Sequence, residues 1–191
     1  MAESRFPMTE LDELPDDLRE RIGEIARRSG FVPNIFRALG HRPAELRAFL
    51  DYHDALMNRE GGLTKAEREL VVVATSGANH CTYCIVAHGA ILRIRAKDPH
   101  LADQVAASPW HAPLDERRRA IADFALALAR SPERFGDADI ARARSAGLTD
   151  DEIWDIGAIT ALFAASNRLA HLTALQPNSE FYLMGRDVQP G

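Results

Sequence analysis

Apolar positions along this chain recur mostly at helical spacing. Leu46, Phe49, Leu50, His53, Leu56 and Met57 follow i, i+3, i+4, i+7, i+10 and i+11, with Arg, Asp and Asn on the other faces and Pro43 placed for a first helical turn. Ile121, Phe124, Ala125 and Leu128 repeat the pattern within residues 115–130, and Ile22, Ile25 and Ala26 mark another helix ahead of Gly30. No run alternates with period two between hairpin turns, so the pattern predicts an all-α fold. One segment is ambiguous. Residues 70–74, LVVVA, are rich in β-branched side chains and would suit a buried strand leading into a thioredoxin-like CxxC helix. Thr64 and Glu67 form a capping box just before it, and 64–78 is too long for an ordinary strand, so a helix is expected here. A thioredoxin fold would also need strands that the rest of the chain does not supply.

The sequence contains an echo. GLTKAE at 62–67 recurs as GLTDDE at 147–152, each time followed by an apolar segment. On that register Cys81 maps to Ser166, Cys84 to Leu169 and His88 to Thr173, so the second copy has no thiol and no imidazole. Two explanations stand side by side: a duplication with one catalytic and one degenerate half, or a common helix start used twice. The expected organisation is a single domain over 1–191. Its half 1–110 carries the CxxC at the start of a central helix, 111–180 forms the degenerate half, and 181–191 is a tail.

Composition narrows the function classes. With 191 residues, 46% of them hydrophobic, the chain can bury a full core. A net charge of -5 and scattered arginines leave no footprint for nucleic acid. The N-terminal stretch is acidic, and no apolar run reaches the roughly 20 residues that span a bilayer, so a soluble cytoplasmic protein without membrane contact is expected. Two cysteines cannot form a disulfide scaffold. CxxC in a reducing compartment reads as redox-active or metal-binding.

Cys81, Cys84 and His88, in NHCTYCIVAHG, stand at i, i+3 and i+7 and share one helix face. A cysteine at a helix start has its thiolate stabilised by unpaired N–H groups, and Cys81 is so placed. If the chain turns back at 78/79, Glu69 and His88 each lie roughly 14 Å from the bend and meet across an antiparallel helix pair. Glu69 would then orient His88, His88 would take the proton of Cys84 directly or through water, and Cys84 would attack as a thiolate. Cys81 would resolve the resulting sulfenic acid into a disulfide. Other readings remain open: an inert buried pair, or a C-x2-C-x3-H zinc site completed by His80, His53 or Glu69. His80 abuts the CxxC and either tunes a thiol or faces water. His53 lies in an apolar stripe, as a pocket or core histidine. Trp110, Trp154 and Phe163 read as packing residues, and Asn167 and Arg168 as a subunit contact. No Gly-rich phosphate loop is present, so no nucleotide, flavin or metal cofactor is expected.

Glu69, eleven intervening residues, Cys81-x-x-Cys84, three residues and His88 together match the motif of a known family. On these residues the chain resembles the alkylhydroperoxidase D-like branch of the carboxymuconolactone decarboxylase superfamily, particularly its peroxidase-related members. GFVPNIFRAL at 30–39, ERRRAIADFALALARSP at 116–132, AGLTDDEIWDI at 146–156 and SNRLAHLTAL at 166–175 extend the resemblance over about residues 30 to 182. It implies an AhpD-like helical bundle, a homo-oligomer (dimer, trimer or hexamer), and reduction of hydrogen peroxide or organic hydroperoxides through the CxxC pair. It also implies re-reduction by a thiol or lipoyl-bearing partner. Tyr83 departs from the pattern: alkylhydroperoxidase D has a relay histidine there, and a phenol carries protons less readily at neutral pH. Two alternatives are kept: a decarboxylase or lactone-processing enzyme using acid-base groups rather than thiols, and a non-catalytic thiol redox sensor.

Overall fold

In the computed structural model, which describes residues 4–186, the chain folds as helices joined by short turns, with no strand among the described residues. The helices are α1 (Asp16–Ser29), α2 (Asn34–Leu39), α3 (Pro43–Met57), α4 (Lys65–Ala78), α5 (Thr82–Ala96), α6 (Leu101–Ala107), α7 (Glu116–Arg130), α8 (Asp137–Ser145) and α9 (Asp150–Thr173). The part of the expected tail beyond residue 186 lies outside the described residues.

The doubtful segment 70–74 is the centre of α4. This helix packs against α5, α6, α7 and α9, and residues 67–76 are buried without a break. A helix covered on every side has no polar face, which is why periodicity was weakest where the structure is most secure. Each β-branched residue costs at most about 0.7 kcal/mol of helix propensity. Burying a valine stabilises by about 1.5–3 kcal/mol, so at Val71, Val72 and Val73, all fully buried, packing decides.

Both copies of the echo start helices with complete capping boxes, Thr64 with Glu67 and Thr149 with Glu152. Arg117 on α7 joins them, its Nε donating to Glu67 at 2.7 Å and its Nη2 to Glu152 at 2.5 Å. There the likeness stops. α4 ends at Ala78, whereas α9 runs unbroken through the corresponding Phe163 to Thr173. Ser166, Leu169 and Thr173 therefore continue one long helix instead of following a bend.

The α4–α5 bend occupies residues 79–81, slightly later than the spacing suggested. Asn79 caps the end of α4, His80 takes a left-handed conformation (φ 53°), and Cys81 is the N-cap of α5. The Cys81 N–H donates back to Ser76 O at 3.0 Å. After α9 the chain returns along α5 through a 3-10 turn at Ser179–Tyr182. Arg93, buried on α5, holds this strap by donating from Nε to Met184 O and from Nη2 to Phe181 O, both at 2.9 Å. Phe163 is buried as a packing residue, but Trp110 and Trp154 are 56% and 74% exposed and belong to the surface instead. Among the described residues no helix is long and apolar enough to cross a membrane.

Candidate active site

The antiparallel pair α4 and α5 brings Glu69 beside His88. Nδ1 of His88 donates to Oε2 of Glu69 at 2.8 Å, and both side chains are largely buried. His88 is further held edge-on against Phe163, ring centres 4.6 Å apart. With Nδ1 engaged, Nε2 is the nitrogen left for proton transfer. Cys84 lies one turn earlier on the same helix.

Cys81 and Cys84 carry free thiols, and both are buried. Their acidities diverge because they share a proton. The hydrogen bond from the Cys84 thiol holds Cys81 down to about 7, opposed by burial and helped by the Cys84 backbone N–H, the His171 imidazole and the Asn167 side chain. Cys84 is pushed well above the ordinary thiol range, first by its hydrogen bond to Cys81, then by burial and by the Cys81 charge. One thiolate therefore forms near neutral pH, seated at the α5 N-terminus as a thiolate should be.

Cys84 opens onto a cavity of about 330 Å³ with mostly apolar walls, and Cys81 is not among its lining residues. α5 contributes Tyr83, Cys84, Ala87, His88 and Ile91; α3 contributes Phe49, Leu50, His53 and Asp54. Ile25 of α1, Phe36 of α2, Phe163 and Ser166 of α9, and Phe181 and Met184 of the strap complete the enclosure. Ser166 Oγ stands 4.0 Å from Cys84 Sγ.

The supporting candidates separate. His80 is exposed at the bend and lies outside the cavity lining. The imidazole that acts on Cys81 is instead His171, whose Nε2 donates to Asn79 O at 2.9 Å. His53 does line the cavity, with Nδ1 donating to Asp54 Oδ1 at 3.2 Å. Asp54 is lowered to about 2 by His53 first and by Arg21, against burial. Tyr83 is buried, its hydroxyl accepts from Ile35 N–H at 3.0 Å, and burial foremost raises its pKa well above the phenol range. Among the described residues, no three or more His, Cys, Asp or Glu side chains are grouped so as to hold a metal ion.

Asn167 is the residue that sequence reasoning misplaced. It is fully buried, donates from Nδ2 to Ser76 Oγ at 3.1 Å and accepts from Asn79 Nδ2 at 3.0 Å. It also favours the thiolate form of both cysteines. The signal available was the echo itself, which places Ser166 and Asn167 on a helix paired with α4.

Comparison with known proteins agrees with this fold. The Carboxymuconolactone decarboxylase family model matches residues 43–108, which span α3 to α6. A peroxidase-related protein of the alkylhydroperoxidase AhpD core from Ralstonia eutropha JMP134 is 53% identical, covering 99% of this chain and 100% of that one, with a TM-score of 0.95. A peroxidase-related protein from Silicibacter sp. TM1040 is 36% identical over 97% and 100% of the two chains, TM-score 0.89. The debrominase Bmp8, in complex with 2,3,4-tribromopyrrole, shares the fold at 17% identity, TM-score 0.78, covering 96% and 95%. No curated protein matches the chain.

Proposed function

This chain belongs to the AhpD-like, peroxidase-related branch of the carboxymuconolactone decarboxylase family, and from that premise we propose that it is a thiol-dependent peroxidase acting through Cys84 and Cys81. One observation carries the reading: Cys84, partnered by Cys81, and His88, held by Glu69, lie together on the wall of one mostly apolar cavity. The fold also hosts a debrominase, so fold alone does not select the reaction.

His88, or the Cys81 thiolate, takes the Cys84 proton. The Cys84 thiolate attacks the terminal oxygen of a hydroperoxide, the O–O bond breaks, and the released alkoxide gains a proton to leave as an alcohol. Cys84 is now a sulfenic acid. Cys81 attacks that sulfur as the thiolate, the proton held on His88, whether taken from Cys84 directly or received from Cys81, joins the departing oxygen as water, and a Cys81–Cys84 disulfide remains. A dithiol of the lipoyl or thioredoxin class restores both thiols by exchange. No metal, flavin or nucleotide enters the cycle. Exposed Tyr52 and Trp154 suit the self-association expected of the homo-oligomer.

The test is peroxide consumption with dihydrolipoamide, thioredoxin or glutathione as donor, on wild type and Cys84→Ser. Turnover with a dithiol that disappears in Cys84→Ser is expected. Activity that survives the substitution would remove the thiol mechanism, and activity retained when both Cys81 and Cys84 are replaced by Ser would favour the acid-base chemistry of a decarboxylase. Stoichiometric oxidation without turnover by any donor would leave a redox sensor.

A further inference from the structure

The cavity holds a second carboxylate–imidazole pair that the cysteine cycle does not use. Cys84 and His88 stand on α5, and His53 and Asp54 face the same space from α3. Both imidazoles pack edge-on against Phe163, with ring centres 4.6 Å away for His88 and 6.2 Å for His53. Asp54 is itself anchored, accepting from Arg21 Nη2 at 2.8 Å and Asn58 Nδ2 at 3.0 Å. With Nδ1 of His53 engaged by Asp54, Nε2 is the nitrogen available to the cavity.

Displacement at a peroxide oxygen is in line, so the leaving oxygen lies on the side away from the attacking sulfur. His88 shares a helix face with Cys84 and serves the proton of the sulfur. An oxygen leaving away from a sulfur on α5 departs into the cavity, whose lining on α3 includes His53. Tyr83, the phenol in the lining, sits on the same helix as the sulfur and keeps its proton too tightly to be a good acid. We propose that His53, held by Asp54, is the general acid of the reaction: its imidazolium gives a proton to the alkoxide as the O–O bond breaks, yielding alcohol and neutral His53. The charges balance, since a thiolate, a hydroperoxide and an imidazolium become a sulfenic acid, an alcohol and an imidazole. This inference rests on the peroxidase reading and assigns a role in its first chemical step.

The experiment compares two oxidants of similar bulk under single-turnover conditions, where no reductant is needed. Cumene hydroperoxide releases an alkoxide that requires a proton; meta-chloroperbenzoic acid releases a carboxylate that does not. Rates of Cys84 oxidation are measured on wild type, His53→Gln and Asp54→Asn. In His53→Gln the ratio of hydroperoxide rate to peracid rate is expected to fall by about 100-fold or more, the range of a lost general acid. Asp54→Asn should move the ratio the same way by a smaller factor. A ratio within about threefold of wild type, whether both rates fall together or neither does, would overturn the role of His53 and leave the peroxidase reading standing. A wild-type protein whose Cys84 reacts with neither oxidant would overturn both.

Discussion

Glu69→Gln isolates the contribution of one charge. The amide preserves the shape of a side chain that is only 7% exposed and still accepts the hydrogen bond from His88 Nδ1, which is 2.8 Å away in the wild type. What disappears is the negative charge that faces His88 Nδ1. A hydrogen bond to a charged group stabilises by about 1.5–3 kcal/mol. A neutral hydrogen bond contributes about 0.5–1.5 kcal/mol, so the charge itself accounts for about 1–1.5 kcal/mol, and at about 1.4 kcal/mol per decade its loss should slow Cys84 oxidation roughly 5- to 15-fold. The assay is single-turnover thiol loss with cumene hydroperoxide, read beside thermal unfolding. A purely structural role would lower the melting temperature and leave the rate of the remaining folded protein alone. A rate within about twofold of wild type in a folded variant would refute the relay.

The remaining expectations concern the thiols and the cavity. Ultraviolet titration of thiolate should show one ionisation near pH 7 that is absent in Cys81→Ser. Because Cys81 is more acidic folded than unfolded, the unfolded chain binds more protons between pH 7 and about 8.5, so stability to urea should rise across that window by at most about 2 kcal/mol and fall above it as Cys84 resists ionisation. A stability profile that declines from pH 7 upward would contradict this. Asn167→Ala should destabilise the fold by about 1–3 kcal/mol through the orphaned Ser76 and Asn79 groups, and move the thiolate titration to higher pH. Calorimetry and the same titration check both effects. Ala87→Leu, filling the cavity beside Cys84, should raise KM for cumene hydroperoxide more than for hydrogen peroxide; an equal change for both would mean that the bulky substrate does not use this space.

Particular residues show what the sequence could and could not carry. The α3 stripe was legible because one side of that helix faces solvent, which leaves a polar face to reveal the period. The α4 core was legible only through its capping box, since a helix buried all round has no contrast between faces. Glu69 and His88 could be paired in advance because a helical hairpin converts equal distance from a bend into proximity. The detail of that bend was not accessible: Cys81 as N-cap and His80 in the left-handed region belong to a turn whose Asn79 is held by Asn167 and His171 of α9, far along the chain. Asn167 read as a surface contact because its true neighbours, Ser76 and Asn79, are about ninety residues away in the chain. The strap had no signal at all, yet Phe181 and Met184 close the cavity, held by Arg93 through backbone carbonyls that no side-chain pattern encodes.

The most direct measurement of the central claim is a stoichiometric titration of the fully reduced protein with cumene hydroperoxide, followed by peptide mass spectrometry and alcohol analysis. One alcohol should be released for each Cys81–Cys84 disulfide formed, with Cys81→Ser halting at a sulfenic acid on Cys84. Unchanged thiols at stoichiometric peroxide, or sulfenic acid found first on Cys81, would contradict it.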